Sequence, residues 1–259
     1  MFHVKHFEKL AEFARQNQIK YGEREQKQFE DLCSLLVEEN KVMNLTAIED
    51  PEEIEIKHFI DSLEAVPLLC SLWAEKIFEI RTELLPQDAS FRLIDVGTGA
   101  GFPGLPLKIA FPSAEFVLMD SLNKRINFIN KIIESLELTG ISAIAARAED
   151  MAKVGSVSRE TFDFCVSRAV ASLPVLLEYC LPFVQINGFC ILYKSGDYEE
   201  ELNEAQAALQ ELGGKLVDVQ DFFLPETDIR RSLLVIRKTK ATPDKYPRRP
   251  GKPSKSPIR

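Results

Sequence analysis

Residues 93–104 read LIDVGTGAGFPG, and this stretch is the most informative part of the sequence about the fold. The stretch begins as an apolar run and continues into a turn that contains four glycines. Glycine permits positive φ angles and lets a ligand approach the backbone, and free amides at the start of a helix attract polar ligand groups. The stretch therefore predicts a buried strand, a turn that binds a nucleotide-type ligand, and a helix.

The spacing of these glycines leaves two cofactor classes open. Gly99, Gly101 and Gly104 match the dinucleotide pattern Gly-x-Gly-x-x-Gly, which is found in nicotinamide and flavin enzymes. Asp95, however, lies two residues before Gly97, where a carboxylate repels a pyrophosphate and attracts the ammonium group of a methionine moiety. The turn therefore favours S-adenosylmethionine, and we expect Asp95 to pair with its ammonium group.

Acidic residues also follow the next two apolar runs. Asp120 ends the second run, just before Ser121, where a carboxylate can accept hydrogen bonds from ribose hydroxyls in either cofactor class. Glu149 comes shortly after the third run, next to Ala148, on the side where an adenine would lie. Because open α/β sheets bind ligands at the carboxyl ends of their strands, these acids together with Asp95 predict a cofactor cleft.

From residue 92 to residue 236, seven short apolar runs, the first of which begins the glycine-turn stretch, alternate with amphipathic stretches, which is typical of a mostly parallel sheet with helices on both faces. The runs cover residues 92–96, 116–119, 141–145, 162–166, 189–193, 216–219 and 233–236. The preceding part of the chain has helical spacing, with helices expected at 23–40, 52–70 and 71–85. We predict a Rossmann-like α/β core at 91–239 and an N-terminal helical extension at 1–90.

Charge is segregated along the chain. The net charge is −8, which by itself argues against a nucleic-acid partner because phosphates attract positive surfaces. Residues 237–259, however, hold nine cations and one acid, a local charge of +8 that leaves −16 for the rest. Five prolines within residues 242–259 argue against a packed core there. We predict a flexible basic tail at 240–259 that follows RNA phosphates and leaves the cofactor pocket unaffected; a merely solubilising tail is the alternative.

Cysteine usage and hydropathy indicate the compartment. Five cysteines are scattered without Cys-x-x-Cys spacing, and several lie in apolar runs, which is typical of buried thiols in a reducing compartment. No apolar run approaches the roughly 18 residues that a membrane span needs. We therefore expect a cytoplasmic protein with neither a membrane partner nor a metal site. The cysteines are Cys33, Cys70, Cys165, Cys180 and Cys190.

The segment after the fourth run indicates the acceptor chemistry. Residues 163–172 read DFCVSRAVAS and lack the Asn/Asp-Pro-Pro-aromatic stretch of enzymes that methylate exocyclic amines. The chain also has no Pro-Cys pair, which enzymes forming carbon-5 pyrimidine products commonly use. A ring nitrogen with a free lone pair needs neither a base nor covalent activation, so positioning can supply most of its acceleration. Arg168 would anchor a phosphate, a base edge or the cofactor carboxylate, or would instead form a structural ion pair with an acid such as Asp163.

Six segments, in this order, resemble the small-subunit ribosomal RNA guanine-N7 methyltransferases, a family also called glucose-inhibited division protein B. They are NKVMNLT at 40–46, HFIDSL at 58–63, DVGTGAGFPGLP at 95–106, DSLNKR at 120–125, SRAVASL at 167–173 and RSLLVI at 231–236. The combination spans roughly residues 30 to 240 and is far more specific than a glycine-rich turn.

The resemblance implies a class I methyltransferase that uses S-adenosylmethionine to form 7-methylguanosine in a conserved loop of bacterial 16S ribosomal RNA. It also implies that Gly97, Phe102, Ala148, Glu149 and Arg168 occupy cofactor-contacting positions, although Phe102 replaces a leucine of some members. Small-subunit RNA or the assembled subunit is then the expected partner, and we expect a monomer. A dinucleotide-dependent oxidoreductase and a non-catalytic RNA-binding factor are the alternatives.

The predicted site residues fall into a cofactor group and an RNA group, with Arg168 as the catalytic residue. The cofactor group is Asp95, Gly97, Gly99, Gly101, Phe102, Asp120, Ser121, Ala148, Glu149 and Arg168. The RNA group is Lys124, Arg125, Lys194, Arg248 and Arg249. His58 and Asp61, at i and i+3 of a helix, could line the cleft. The stretch 44–46 lies between helices and could cap one of them or reach the cofactor.

Overall fold

A computed structural model of the protein describes residues 7–77, 86–196 and 198–259. Its strands are β1 (Arg92–Val96), β2 (Glu115–Asp120), β3 (Ile141–Ala145), β4 (Phe162–Arg168), β5 (Val184–Ser195), β6 (Gly214–Phe223) and β7 (Arg230–Lys238). They form a seven-stranded sheet in the order β3-β2-β1-β4-β5-β7-β6. Strands β1 to β5 pair in parallel, and β7 runs antiparallel to both β5 and β6.

Helices cover both faces of the sheet, which explains why its central strands read as continuous apolar runs. In β1, Leu93 belongs to one buried cluster and its neighbour Ile94 belongs to the other. Phe164 and Cys165 of β4 divide in the same way. Because successive side chains of a strand point to opposite faces, both faces must be apolar. The predicted Rossmann-like α/β fold with a seven-stranded, mostly parallel sheet is confirmed.

The N-terminal helices pack on the first of these clusters through Leu10, Phe29 and Phe59. They are α1 (Glu8–Gln16), α2 (Glu23–Met43), α3 (Pro51–Ile54), a π-helical turn (Glu55–Ile60), α4 (Asp61–Leu63) and α5 (Val66–Ile77). The helix boundary predicted at residue 70 is wrong, because the chain turns at residues 64–65. Pro67 lies in the first turn of α5, and proline starts a helix more readily than it continues one. Residues 78–85, the end of the predicted third helix, lie outside the described residues.

The remaining helices connect the strands. They are α6 (Gly104–Ala110), α7 (Asn123–Ser135), α8 (Ala148–Met151), α9 (Leu173–Cys180), α10 (Glu199–Glu204), α11 (Gln206–Leu212) and α12 (Lys252–Lys255). Helices α6 and α7 join the cluster on the N-terminal helices, whereas α8, α9 and α11 join the cluster on the opposite face. Within the described ranges, no helix is both long enough and apolar enough to cross a membrane.

The C-terminal segment does not extend from the body, contrary to the expectation of a flexible tail at 240–259. Tyr246 is 8% exposed and belongs to the second buried cluster. The Arg159 guanidinium donates to the carbonyl oxygens of Thr242 and Tyr246, each over 2.7 Å. Arg248 pairs with Glu178, which is fully buried. The tail packs because its own Tyr246 is buried in the second cluster and because an arginine and a buried acid of the body bind it. The composition of the tail did not reveal these partners.

The cysteines are free thiols, and four of the five are buried as expected. Cys70 is only partly buried, which differs from the expectation. The thiol groups of Cys165, Cys180 and Cys190 lie within 4.8 Å of one another in the second cluster.

Candidate active-site cleft

The glycine turn after β1 is held close to the sheet. The amides of Gly97 and Thr98 both donate to the Met119 carbonyl of β2 over 2.9 Å. Gly99 adopts φ +61°, and a side chain placed there would meet nothing within 4 Å, so the backbone at this point faces open space. At Gly104, by contrast, a Cβ atom would lie 2.2 Å from Leu118, so only glycine allows the helix to start this close to β2.

Asp95 supports the glycine turn from beneath through hydrogen bonds. The residue is 0% exposed and lines neither cavity of the cleft. Its Oδ2 atom accepts from Thr98 Oγ1 at 2.7 Å and from the Gly104 amide at 2.9 Å. Burial raises the pKa of Asp95 to about 7, and these two hydrogen bonds oppose that rise. The turn uses Oδ2, whereas Oδ1 is buried and has no hydrogen-bond partner among the described residues. The expected contact with a methionine ammonium stays a prediction.

Two adjoining cavities lie at the carboxyl edge of the parallel strands. The first, which we call cavity A, has a volume of about 280 Å³, and the second, cavity B, about 490 Å³. Both are lined by Gly97, Arg125 and Ala169, so they form two parts of one cleft around the glycine turn. Cavity A is also lined by Asp120, Ser121, Ala148, Glu149 and Tyr179. Cavity B is also lined by Thr46, Lys57, His58, Asp61, Gly99, Phe102, Arg168, Tyr193, Lys194 and Arg231. Gly101 lines neither cavity.

Asp120 connects the glycine turn to the wall of cavity A. Its Oδ2 atom accepts from the Gly99 amide at 3.1 Å and from Arg125 Nη1 at 3.0 Å. Its Oδ1 atom accepts from the Leu122 amide at 3.0 Å. Arg125, predicted to contact RNA, therefore pairs with the strand-end acid at the junction of the two cavities.

Glu149 lies at the start of α8 and is 6% exposed. Its Oε1 atom accepts a hydrogen bond of 3.0 Å from the Gly251 amide of the C-terminal segment. The sequence predicted the position of Glu149 at the strand-end edge but not this partner, which comes from a part of the chain that was expected to be flexible.

Arg168 is the central cation of cavity B. Its Nη1 atom donates to Asp61 Oδ2 over 2.7 Å, and its Nη2 atom lies 3.3 Å from His58 Nδ1. Its guanidinium carbon lies 5.5 Å from the centre of the Phe102 ring. The alternative of an ion pair with a nearby acid is thus met by Asp61 and not by Asp163. Asp163 lies near the start of β4, where it binds Lys76, Gln185 and the Arg92 amide.

His58 packs flat on Phe102, with ring centres 4.6 Å apart and an angle of 11° between the planes. Its Nε2 atom lies 2.9 Å from Thr46 Oγ1. Burial lowers the pKa of His58 to about 3, and the positive charge of Arg168 lowers it further. His58 is therefore a neutral aromatic wall. Thr46 lines the cleft, whereas Asn44, with φ +49°, caps α2.

Basic side chains surround the mouth of cavity B because the strand register brings them together. Arg168 of β4 pairs with Tyr193 of β5, and the next residue, Lys194, pairs with Ser232 of β7. Lys194 binds Glu201 over 2.6 Å, so part of its charge is balanced. Arg231 approaches Asp61 Oδ1 to 3.6 Å.

The other predicted RNA residues lie elsewhere. Lys124 is exposed on α7 and donates to the Met43 carbonyl over 3.2 Å. Arg249 is exposed and lines neither cavity. Glu178 binds the guanidinium of Arg248 and balances its charge, and a contact of Arg248 with RNA stays a prediction.

Sequence reasoning did not select Tyr179, Tyr193 or Arg231, all of which line the cleft. Tyr193 could have been found, since it ends the fifth apolar run at the edge where the acids lie. Arg231 reaches this edge only because β7 runs antiparallel, and Tyr179 only through the packing of α9. Neither the antiparallel direction of β7 nor the packing of α9 has a local signal in the sequence.

Comparisons with known proteins identify a family that this sequence matches over most of its length. The family model for rRNA small subunit methyltransferase G matches residues 25–230. Ribosomal RNA small subunit methyltransferase G of Acetivibrio thermocellus is 50% identical over 224 residues, which cover 86% of this chain and 85% of that protein. The protein of the same name from Lachnoclostridium phytofermentans is 51% identical over 231 residues, covering 89% and 88%. That from Desulforamulus reducens is 45% identical over 249 residues, covering 96% and 97%. The solved structure of M. jannaschii TYW2 in complex with AdoMet is 13% identical, covers 60% of this chain and 71% of that one, and has a TM-score of 0.48.

The matched region contains the glycine turn, the residues up to 230 that line the two cavities, and every strand except most of β7. The relatives that match nearly their whole length extend this similarity to most of the chain. The chain belongs to the rRNA small subunit methyltransferase G family.

Proposed function

We propose that this protein transfers a methyl group from S-adenosylmethionine to the N7 atom of a guanine in bacterial small-subunit (16S) ribosomal RNA. The observation that carries the proposal is the divided cleft. A cavity that holds the two buried carboxylates Asp120 and Glu149 and a cavity with a surplus of basic side chains meet at the glycine turn, so a cofactor and an anionic polymer can reach the same point. Membership of the family supports the choice of substrate.

The residues of cavity A fit an adenosine moiety. Asp120 and Glu149 are carboxylates that are less than one-tenth exposed, and they can accept hydrogen bonds from hydroxyl and amino groups. Ser121 and Ala148 would lie beside them, and the open backbone at Gly99 would hold the methionine part. When bound, S-adenosylmethionine supplies an electrophilic methyl group on a sulfonium.

The residues of cavity B favour positioning over proton transfer. His58 is neutral because of its lowered pKa of about 3, and Asp61 is bound by Arg168. Guanine N7 carries a lone pair and loses no proton when it attacks, so a side-chain base is not required. In this proposal Arg168 donates to the base edge or its phosphate and also touches the cofactor, and the Phe102–His58 wall excludes water from the reacting atoms.

Cations at the mouth of cavity B would bind RNA phosphates. Lys57, Arg125, Lys194 and Arg231 all line the cleft, and this local charge lies on a chain whose net charge is −8. Such a patch attracts a polyanion even when the whole protein repels it. We further propose a cytoplasmic location, which the five free cysteines support.

Titration calorimetry with S-adenosylhomocysteine and with NAD tests the cofactor. We expect S-adenosylhomocysteine alone to bind, and binding of NAD alone would replace the proposal with the oxidoreductase alternative. Transfer of labelled methyl groups to small-subunit RNA then tests catalysis. Binding of cofactor and RNA without transfer would indicate a non-catalytic RNA-binding factor.

A further inference from the structure

Residues 248–255, which we call the C-terminal clasp, are fixed to the body by a buried acid. Glu178 of α9 is 0% exposed. It accepts from the Arg248 amide at 2.8 Å, from Arg248 Nε at 2.9 Å and from Arg248 Nη2 at 2.5 Å. Bidentate guanidinium–carboxylate pairs are among the strongest and most directional hydrogen bonds in proteins. The clasp therefore has a defined position on α9.

From this anchor the clasp reaches the wall of cavity A. The Gly251 amide donates to Glu149 Oε1 over 3.0 Å, and Gly251 adopts φ +77°, a left-handed conformation that suits glycine. Tyr179, which follows Glu178 in α9, also lines cavity A. One residue of the cavity wall, Glu149, thus has a hydrogen-bond partner in the clasp.

These contacts would matter to a ligand because a side chain that is already fixed loses little conformational entropy when it binds. Glutamate has several rotamers, and ordering a free glutamate costs conformational entropy. The amide of Gly251 supplies a donor to a carboxylate that is 6% exposed and keeps it against cavity A. The Arg248–Glu178 pair keeps that amide in place.

We propose that the C-terminal clasp is a positioning element of the cofactor site: Arg248 fixes the clasp on Glu178, and Gly251 orients Glu149 toward the adenosine part of the cofactor. This inference rests on the proposed function, since it takes cavity A as the adenosine site. It reverses the expectation that loss of the basic tail leaves cofactor affinity unchanged.

The test compares R248A with K245A in the full-length protein. Lys245 belongs to the same tail and binds Glu211, but its side chain is 65% exposed, so its loss should change little. We expect R248A to weaken the binding of S-adenosylhomocysteine and of adenosine by the same factor, about fivefold to tenfold, and K245A to leave both unchanged. In methyl-transfer assays R248A should raise the KM for S-adenosylmethionine with little change in kcat.

A double-mutant cycle with E149A separates positioning from general loosening of the fold. If the clasp acts through Glu149, R248A should weaken binding much less in the E149A background than in the wild-type background. An equal loss in both backgrounds, or an equal loss in K245A, would overturn the inference. Normal affinity in R248A would do the same while leaving the proposed function intact, whereas a wild-type protein that fails to bind S-adenosylhomocysteine would overturn the proposed function itself. If R248A does not unfold cooperatively, E178Q, which keeps the side-chain volume, replaces it in every arm.

Discussion

Replacing Arg168 with alanine is expected to affect stability and methyl transfer separately, because the side chain has both a buried partner and a place in the cleft. The partner, Asp61, lies 2.7 Å away and its side chain is 2% exposed. Removing one member of a buried ion pair costs about 3–5 kcal/mol, since the remaining charge stays buried. Arg231, 3.6 Å from the other Asp61 oxygen, offsets part of this cost. We therefore expect R168A to lose about 2–4 kcal/mol of the free energy of unfolding.

The double variant R168A/D61N separates the two roles. Asparagine removes the buried charge that R168A leaves unpaired, so the double variant should regain most of the lost stability in urea denaturation. Methyl transfer to small-subunit RNA should remain at least ~100-fold slower than in the wild-type protein, because the donor at the reacting atoms is still missing. D61N alone is the control, and it keeps Arg168 in a cleft where 14% of its side chain is exposed.

Wild-type transfer rates in R168A/D61N would contradict a catalytic role and leave Arg168 as a structural ion pair. A loss of stability below about 0.5 kcal/mol in R168A would contradict the buried geometry instead, because that is the value of an exposed pair.

Burial raises the pKa of Asp95 from 3.8 to about 7, so between these values the folded protein holds a proton that the unfolded chain has released. The free energy of unfolding should therefore fall as the pH rises from about 4 to 7. In urea denaturations at a series of pH values, D95N should flatten this pH dependence. An unchanged pH dependence in D95N would argue that Asp95 is charged throughout. Because the pKa of His58 is lowered to about 3, the rate of methyl transfer should show no inflection from His58 between about pH 5 and 8, and an inflection that disappears in H58Q would refute this. K57A and K194A should each reduce, by about 1, the slope of the logarithm of RNA affinity against the logarithm of salt concentration. Both variants should leave the affinity for S-adenosylhomocysteine unchanged. K215A, at an exposed position on β6, is the matched control, and equal salt slopes for all three variants would remove the two lysines from the RNA surface.

The sheet and its ligand edge could be predicted because local signals and topology agree. The apolar run and glycine turn at 93–104 form β1 and the cleft backbone, and Asp120 and Glu149 line cavity A as their strand-end positions suggested. In a parallel sheet the carboxyl ends of neighbouring strands lie at one edge. Strand-end residues that are far apart in sequence can therefore be predicted to lie close together in space. This rule also placed Arg168 in the cleft.

Partners across long sequence separations could not be predicted. Arg168 binds Asp61, 107 residues away, and Arg248 binds Glu178, 70 residues away. Composition shows that the tail is basic but not which acids it meets, and five prolines do not prevent a segment from packing when side chains of the body bind its carbonyls. Asp95 was placed correctly at the strand end, but its side chain points beneath the turn, and only the hydrogen bonds from Thr98 and Gly104 reveal this.

Mapping 7-methylguanosine in small-subunit ribosomal RNA, from cells with and without this gene, is the most direct test of the proposed methyl transfer to guanine N7. Reduction and strand cleavage at 7-methylguanosine give a position-specific readout that does not depend on purified protein. We expect one 7-methylguanosine to disappear when the gene is removed, to return with the wild-type gene, and to stay absent with the R168A/D61N form. An identical 7-methylguanosine pattern in cells with and without the gene would contradict the account.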